Sequence, residues 1–328
     1  MPPWLVRCLS WRHPLALRGR GVVAVAAAVA LWSLGLLGPA LAGATPTLIQ
    51  DDAPAIAPCT QASPAKPIAA DAMAVVATGA PPGLTMTPLA VSRASQLPAA
   101  PGTLQVSQLV LPPGAGADTR SAVGPILFYV EAGAITFFAS GVAIPATAGD
   151  TILVEKDEYY TLENDGSQTA TLLRLGVAPA DAGDMRIAIF DSPQDAEPTR
   201  TTTLPESQLL VRAAIAPALT NAAWLILTCV TLPTPHLAIT GVHHPGPTGL
   251  WVESGPLGIQ PDRVLPTGGC TLFAPEAPHD LRSLDSSAAA LLFAVIPDGG
   301  QLWTDATAAS LASTPPDDLE CGNLDANA

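Results

Sequence analysis

One pattern constrains this chain more than any other. A short stretch occurs twice: Gly124-Pro125-x-x-x-Tyr129-Val130-Glu131-Ala132-Gly133 and Gly246-Pro247-x-x-x-Trp251-Val252-Glu253-Ser254-Gly255, 122 residues apart. Upstream, LVLPPG parallels VTLPTP. Downstream, AGDTILVEKDEYYTLEN parallels TGGCTLFAPEAPHDLRS, with Gly149 set 119 residues before Gly268. Three landmarks in one order at nearly constant spacing predict two copies of one structural unit.

Each copy has the rhythm of short strands. From about Gly102 the segments LQVSQLVL, ILFYV, AITFFA, DTILV, YTLEN and TATLLRLGV are separated by PPGAG, EAG, TAGD and NDGS. The second copy reads LLVRAAIA, LILTCVTL, GLWVESG, TLFA and AALLFAVI. Val, Ile, Leu, Phe, Tyr and Thr suit pleated, half-buried strands. Turns every eight to twelve residues without sustained helical spacing point to a sandwich or barrel. The expected organisation is a leader at 1–42, an Ala/Pro-rich arm at 43–98, one barrel at 99–190, a second at 203–298 and a tail at 299–328.

The leader has Arg7, Arg12, Arg18 and Arg20, then an apolar run from Gly21 to Ala42 that ends in Ala40-Leu41-Ala42. Basic stretch, apolar stretch and A-x-A form a secretory signal. The alternative is an uncleaved membrane anchor, since about 20 residues span a bilayer. Either way the rest of the chain is expected outside the cytoplasm, with membrane association only if the leader stays attached.

Without those four Arg, 10 basic residues face 28 acidic ones. A chain of that sign repels phosphate backbones, so nucleic acid is excluded as a partner. The exported part keeps Cys59, Cys229, Cys270 and Cys321. Four cysteines in an oxidising compartment allow three disulfide pairings. The expected pairs are Cys59–Cys321, one in each tail, and Cys229–Cys270 inside the second barrel. Buried free thiols are the alternative for the latter two.

LPPGA…GPILFYVEAG and TAGDTILVEKDEYYTLENDGS resemble the two motifs of the cupin superfamily. The resemblance covers roughly residues 100–180 and 205–297. It implies an all-β chain of two double-stranded β-helix, or jelly-roll, barrels in tandem: a bicupin. In many cupins three His and one Glu hold a divalent metal inside the barrel. Carried onto the first copy, the Glu position is Ile126 and the two early His positions fall within Thr119–Ala122. Glu155 and Asp157 stand at the Pro and Gly positions, Tyr160 at the late His position, and Asn164 matches the Asn. All four ligands are missing.

In the second copy Thr248 stands at the Glu position and Val242 at the first His position. Ala274 and Ser283 replace the Pro and Asn, while His244 and His279 match. The resemblance thus implies at most a degenerate divalent-metal site in the second barrel, on His244 and His279, with His243, His236 or Asp280 as a third donor. The alternatives are polar residues lining an empty pocket, or a metal-free pair that donates to and accepts from a small ligand.

Tyr160 is expected inside the first barrel, bonding a ligand or filling the space. Glu131 and Glu253, two residues before the closing Gly, are out of phase with the metal positions and are expected to point outward, exposed or turn-capping, rather than to form an acid–base pair. Trp224, Trp251 and Trp303 are expected to pack between the barrels rather than to line a sugar site. Neither a nucleophile elbow nor a phosphate loop is present in the sequence. Two functions remain: a small-ligand-binding or structural bicupin needing no cofactor, or a metal-dependent dioxygenase or isomerase working from the second barrel.

Overall fold

The structure, a computed structural model, describes residues 59, 66–98, 101–139, 141–180, 206–215, 222–259, 263–284, 286–305 and 319–321. The leader lies outside these residues. No helix among the described residues is long and apolar enough to cross a membrane. All described residues fall in one compact unit, Gln50–Ala328.

The described chain opens with one helix, α1 (Ala70–Ala77), and a strand, β1 (Thr85–Ala94). Eight strands follow: β2 (Gly102–Leu111), β3 (Gly116–Ser121), β4 (Ile126–Ala132), β5 (Ala134–Ala139), β6 (Val142–Thr147), β7 (Thr151–Val154), β8 (Tyr159–Glu163) and β9 (Ala170–Pro179). After β10 (Glu206–Ile215) comes a second eight. These are β11 (Ala223–Leu232), β12 (Ala238–His243), β13 (Thr248–Ser254), β14 (Leu257–Ile259), β15 (Arg263–Leu265), β16 (Cys270–Phe273), β17 (His279–Ser283) and β18 (Ala288–Pro297). Two short strands, β19 (Thr304–Asp305) and β20 (Glu320–Cys321), end the described chain.

The two sets of eight are wired alike. The first forms sheets in the orders β2-β9-β4-β7 and β3-β8-β5-β6; the second forms β11-β18-β13-β16 and β12-β17-β14-β15. Two facing four-stranded sheets in this order are the jelly roll. The fold is therefore all-β, with two double-stranded β-helix units in tandem.

The repeated Gly-Pro and Gly landmarks are structurally equivalent. A Cβ on Gly124 would lie 1.9 Å from the Val177 carbonyl oxygen, and one on Gly246 lies 1.9 Å from that of Val295. The backbone can approach that closely only where no side chain intervenes. Gly133 and Gly255 close the two strands with φ of 76° and 71°, a left-handed conformation that suits glycine.

One strand of each of the two larger sheets differs from the sequence expectation. LLVRAAIA, expected to start the second barrel, is β10, and it pairs with β2 of the first (Ile215↔Gly102). Conversely β1, from the supposed arm, pairs with β11 of the second (Ala94↔Ala223). Each unit thus completes its larger sheet with the strand that precedes the other unit. The cause lies in β2 and β11, which are almost wholly buried. Such strands cannot leave a row of backbone groups unpaired at a sheet edge.

Successive side chains of a strand face opposite sides. On β4, Ile126 and Phe128 enter the first barrel's core, while Leu127 and Tyr129 join a different cluster. That cluster also takes Leu227, Trp251 and Phe293 from the second unit. It is the apolar layer between the barrels, where the two larger sheets pack face to face.

The disulfides differ from the expected pairs. Cys59 joins Cys229, and Cys270 joins Cys321, with Cα separations of 5.4 and 5.6 Å. Cys229, Leu291, Trp251 and Cys270 form one row across the sheet β11-β18-β13-β16. Three strand spacings of about 4.8 Å put Cys229 and Cys270 some 14 Å apart, twice a disulfide's reach of about 7 Å. Cys321 lies on β20, beside Val211 of β10, so its bond to Cys270 ties the sheet of one barrel to that of the other.

Candidate functional site

The second barrel brings two of the sequence-singled histidines together. β17 alternates between buried and more exposed residues, which sends His279, Leu281 and Ser283 inward. His244 follows β12 directly, at the entry to the Gly246-Pro247 turn. Both rings are buried, at 1% and 3% exposure, with centroids 4.9 Å apart.

Each ring is oriented through Nδ1. That of His244 hydrogen-bonds the Leu302 carbonyl at 2.5 Å, and that of His279 the Ala277 carbonyl at 3.2 Å. A carbonyl only accepts, so Nδ1 carries the proton in both rings. The Nε2 atoms then hold lone pairs, and both are buried without a hydrogen-bond partner. Leu302 is itself held by its N–H to the Val75 carbonyl of α1, at 2.8 Å.

Both rings stay neutral. Burial, with a further push from His279, holds His244 down at about 3. Burial holds His279 at about 4, against partial support from the Ala277 carbonyl and Asp280. At neutral pH the pair offers two acceptors and no charge.

Aromatic walls enclose the pair. Phe273 stacks on His279 at a centroid distance of 3.6 Å. Trp303 lies 5.0 Å from His244, and its Nε1–H points to the Met86 sulfur at 3.1 Å. Trp303 and Trp224 thus belong to the second barrel's interior, and only Trp251 packs between the barrels. Trp303, expected between the barrels, was misplaced in sequence because it follows the last strand of the repeat and has no counterpart in the first copy.

The remaining candidates do not join the pair. His243 alternates to the outside, where its Nε2 meets Glu276 at 3.1 Å. His236 is exposed in a turn. The Asp280 carboxylate accepts the Gly241 N–H at 2.9 Å. The Thr248 hydroxyl donates to the Gly246 carbonyl at 3.2 Å, and Val242 has no donor atom to offer. Two imidazoles without a carboxylate do not fit the three-His, one-Glu divalent site.

In the first barrel Tyr160 is buried, stacked on Phe137 at 5.6 Å and tilted against Phe128 at 5.8 Å. The place that the motif resemblance gives to a late His is thus filled by packed aromatic rings. Close by sits Arg174 of β9, buried, its Nε donating to the Ser107 hydroxyl at 2.9 Å. Burial lowers it to about 10, which still leaves it charged at neutral pH. Arg174 was missed in sequence; its one signal was a lone charge inside the apolar run TLLRLGV.

Glu131 and Glu253 also differ from expectation. They do point away from their own barrel interiors, but that outer face is covered by the other barrel. Glu131 accepts the Gln108 Nε2 at 2.8 Å, and Glu253 accepts the Cys59 N–H. Burial raises both to about 7. The sulfurs of Cys59 and Cys229 and a Glu253 oxygen lie within 4.8 Å of one another, but the disulfide occupies both sulfurs.

No family profile and no curated protein matches the sequence. Solved structures similar to it include a cupin barrel domain protein. A predicted oxalate decarboxylase from Thermotoga maritima is 24% identical with a TM-score of 0.22, over 22% of this chain and 64% of that one, less than two thirds of its length. The cupin 2 conserved barrel domain protein from Leptotrichia buccalis is 15% identical with a TM-score of 0.33, over 63% and 89%. YhaK from Escherichia coli is 19% identical with a TM-score of 0.39, over 63% and 94%.

Proposed function

We propose that this chain is an exported bicupin that binds a small ligand in its second barrel, with the first barrel serving as a scaffold. One observation carries the reading. His244 and His279 each present a buried, neutral Nε2 that lacks a hydrogen-bond partner. Unmet buried acceptors cost roughly 1–3 kcal/mol each. A fold that retains two of them side by side, oriented by backbone carbonyls, is organised to receive a donor or a cation. The Arg-rich leader and the two disulfides support an oxidising, extracytoplasmic setting.

The metal-dependent dioxygenase or isomerase is the second reading. Val242 and Thr248 stand against it, because they leave the site two donors short. Native mass spectrometry and elemental analysis of the purified protein separate the readings. The binding reading expects a non-covalent adduct that disappears in a His244→Leu/His279→Leu variant. A stoichiometric divalent metal supporting turnover would establish the enzyme instead. An adduct unchanged in the variant would place binding elsewhere and end the proposal.

A further inference from the structure

We infer that His244 and His279 together take one monovalent d10 cation of the copper(I) or silver(I) class, rather than the divalent ion of a three-His, one-Glu site. The inference rests on the binding reading and names its ligand. It follows from the donor set, the charge and the walls of the pocket.

The donors come first. Two Nε2 lone pairs are preset by the bonds from each Nδ1 to a carbonyl, the arrangement that readies an imidazole for a metal. Metal–imidazole bonds are about 2 Å long, so one ion bridges nitrogens up to about 4 Å apart. Ring centroids 4.9 Å apart are compatible with one small occupant shared by the two rings. Divalent first-row ions need three or more protein donors for firm binding. Copper(I) and silver(I) are content with two nitrogens, whereas alkali cations prefer oxygen.

Charge points the same way. Both ligands are neutral, and the carboxylate position is Thr248. The cost of burying an ion rises with the square of its charge, so a divalent ion without a carboxylate is penalised about four times as heavily as a monovalent one. Asp280, which acts on His279 electrostatically, is turned to the Gly241 N–H. Glu276 is engaged with His243 and is largely exposed. Neither carboxylate neutralises an ion from inside the pocket.

The walls complete the case. The Trp303 ring lies 5.0 Å from His244, and Phe273 lies flat on His279. The Met86 thioether is one contact further out, on the Trp303 N–H.

The test uses the full exported chain with disulfides intact. Silver(I) is the first probe, because it needs no reductant. Copper(I), supplied as its acetonitrile complex under nitrogen against a colorimetric chelator, is the second. The expected result is one equivalent of either ion, not displaced by a tenfold excess of zinc(II). The His244→Leu/His279→Leu variant should weaken uptake at least 100-fold. A His244→Phe/His279→Phe variant, checked for a native circular dichroism spectrum, keeps the test valid if the Leu pair fails to fold.

Tighter binding of zinc(II), nickel(II) or cobalt(II) at the same histidines would overturn the monovalent assignment and leave the binding reading standing. Silver uptake unchanged in both variants would overturn the site. Absence of uptake for every ion would also overturn the inference, while the native mass spectrum of the preceding section judges the binding reading separately.

Discussion

Glu131 and Glu253 occupy matching places in the two barrels, and the charge of Glu131 helps to raise Glu253 at the layer between them. Gln108 meets the first, and the backbone of Cys59 meets the second. Two acids held in one apolar interface make the junction sensitive to protonation.

Stability should therefore depend on pH through this pair. Both carboxyls stand near 7 in the folded chain against an ordinary value of 4.5. The folded state binds more protons between those values, so this contribution is full below about 4.5 and is lost as pH rises through about 7. The two buried histidines act oppositely: held at about 3 and 4, they favour the folded state above 6.5 and lose that as pH falls. A Glu131→Gln/Glu253→Gln variant removes the first effect alone. Denaturant unfolding from pH 4.5 to 8 should show wild type losing roughly 2–3 kcal/mol per carboxyl relative to the variant. Parallel pH profiles would contradict it.

The second prediction concerns the tail. Cys321 sits on the first barrel's sheet and Cys270 on the second's. Peptide mapping under non-reducing conditions should return Cys59–Cys229 and Cys270–Cys321. A Cys270→Ser/Cys321→Ser variant should lose about 2–4 kcal/mol in urea unfolding. A mapped Cys229–Cys270 peptide would contradict the sheet order.

The histidines should behave unequally when replaced by Phe. His279→Phe keeps an aromatic ring against Phe273 and removes an unmet nitrogen, which offsets the loss of its longer, 3.2 Å bond to the Ala277 carbonyl two residues away, so stability should change by less than about 1 kcal/mol. His244→Phe leaves the Leu302 carbonyl without its donor and should cost about 1–3 kcal/mol. Equal losses in thermal or urea unfolding would mean that the Leu302 contact does not anchor the ring.

Much of the architecture was legible in the chain because strand periodicity and glycine landmarks are local signals. The segments ILFYV and GLWVESG are equivalent strands, and Gly124 and Gly246 meet equivalent carbonyls. The short strands β14 and β15, three residues each, were too brief to stand out. His244 and His279 were found from motif spacing. Their orientation was not, since it depends on Leu302 and Ala277 carbonyls that no side-chain pattern encodes.

What the linear order of residues determined is the repeated β-rich unit and the two histidines, His244 and His279, of its second copy. Tertiary packing alone decided which strand completes which sheet, which cysteines meet, and that two outward glutamates are half-buried. These depend on contacts between residues far apart in the chain, such as Cys59 with Cys229 or β10 with β2. Periodicity tells which face of a strand is apolar, but only the assembled sheets determine what covers that face.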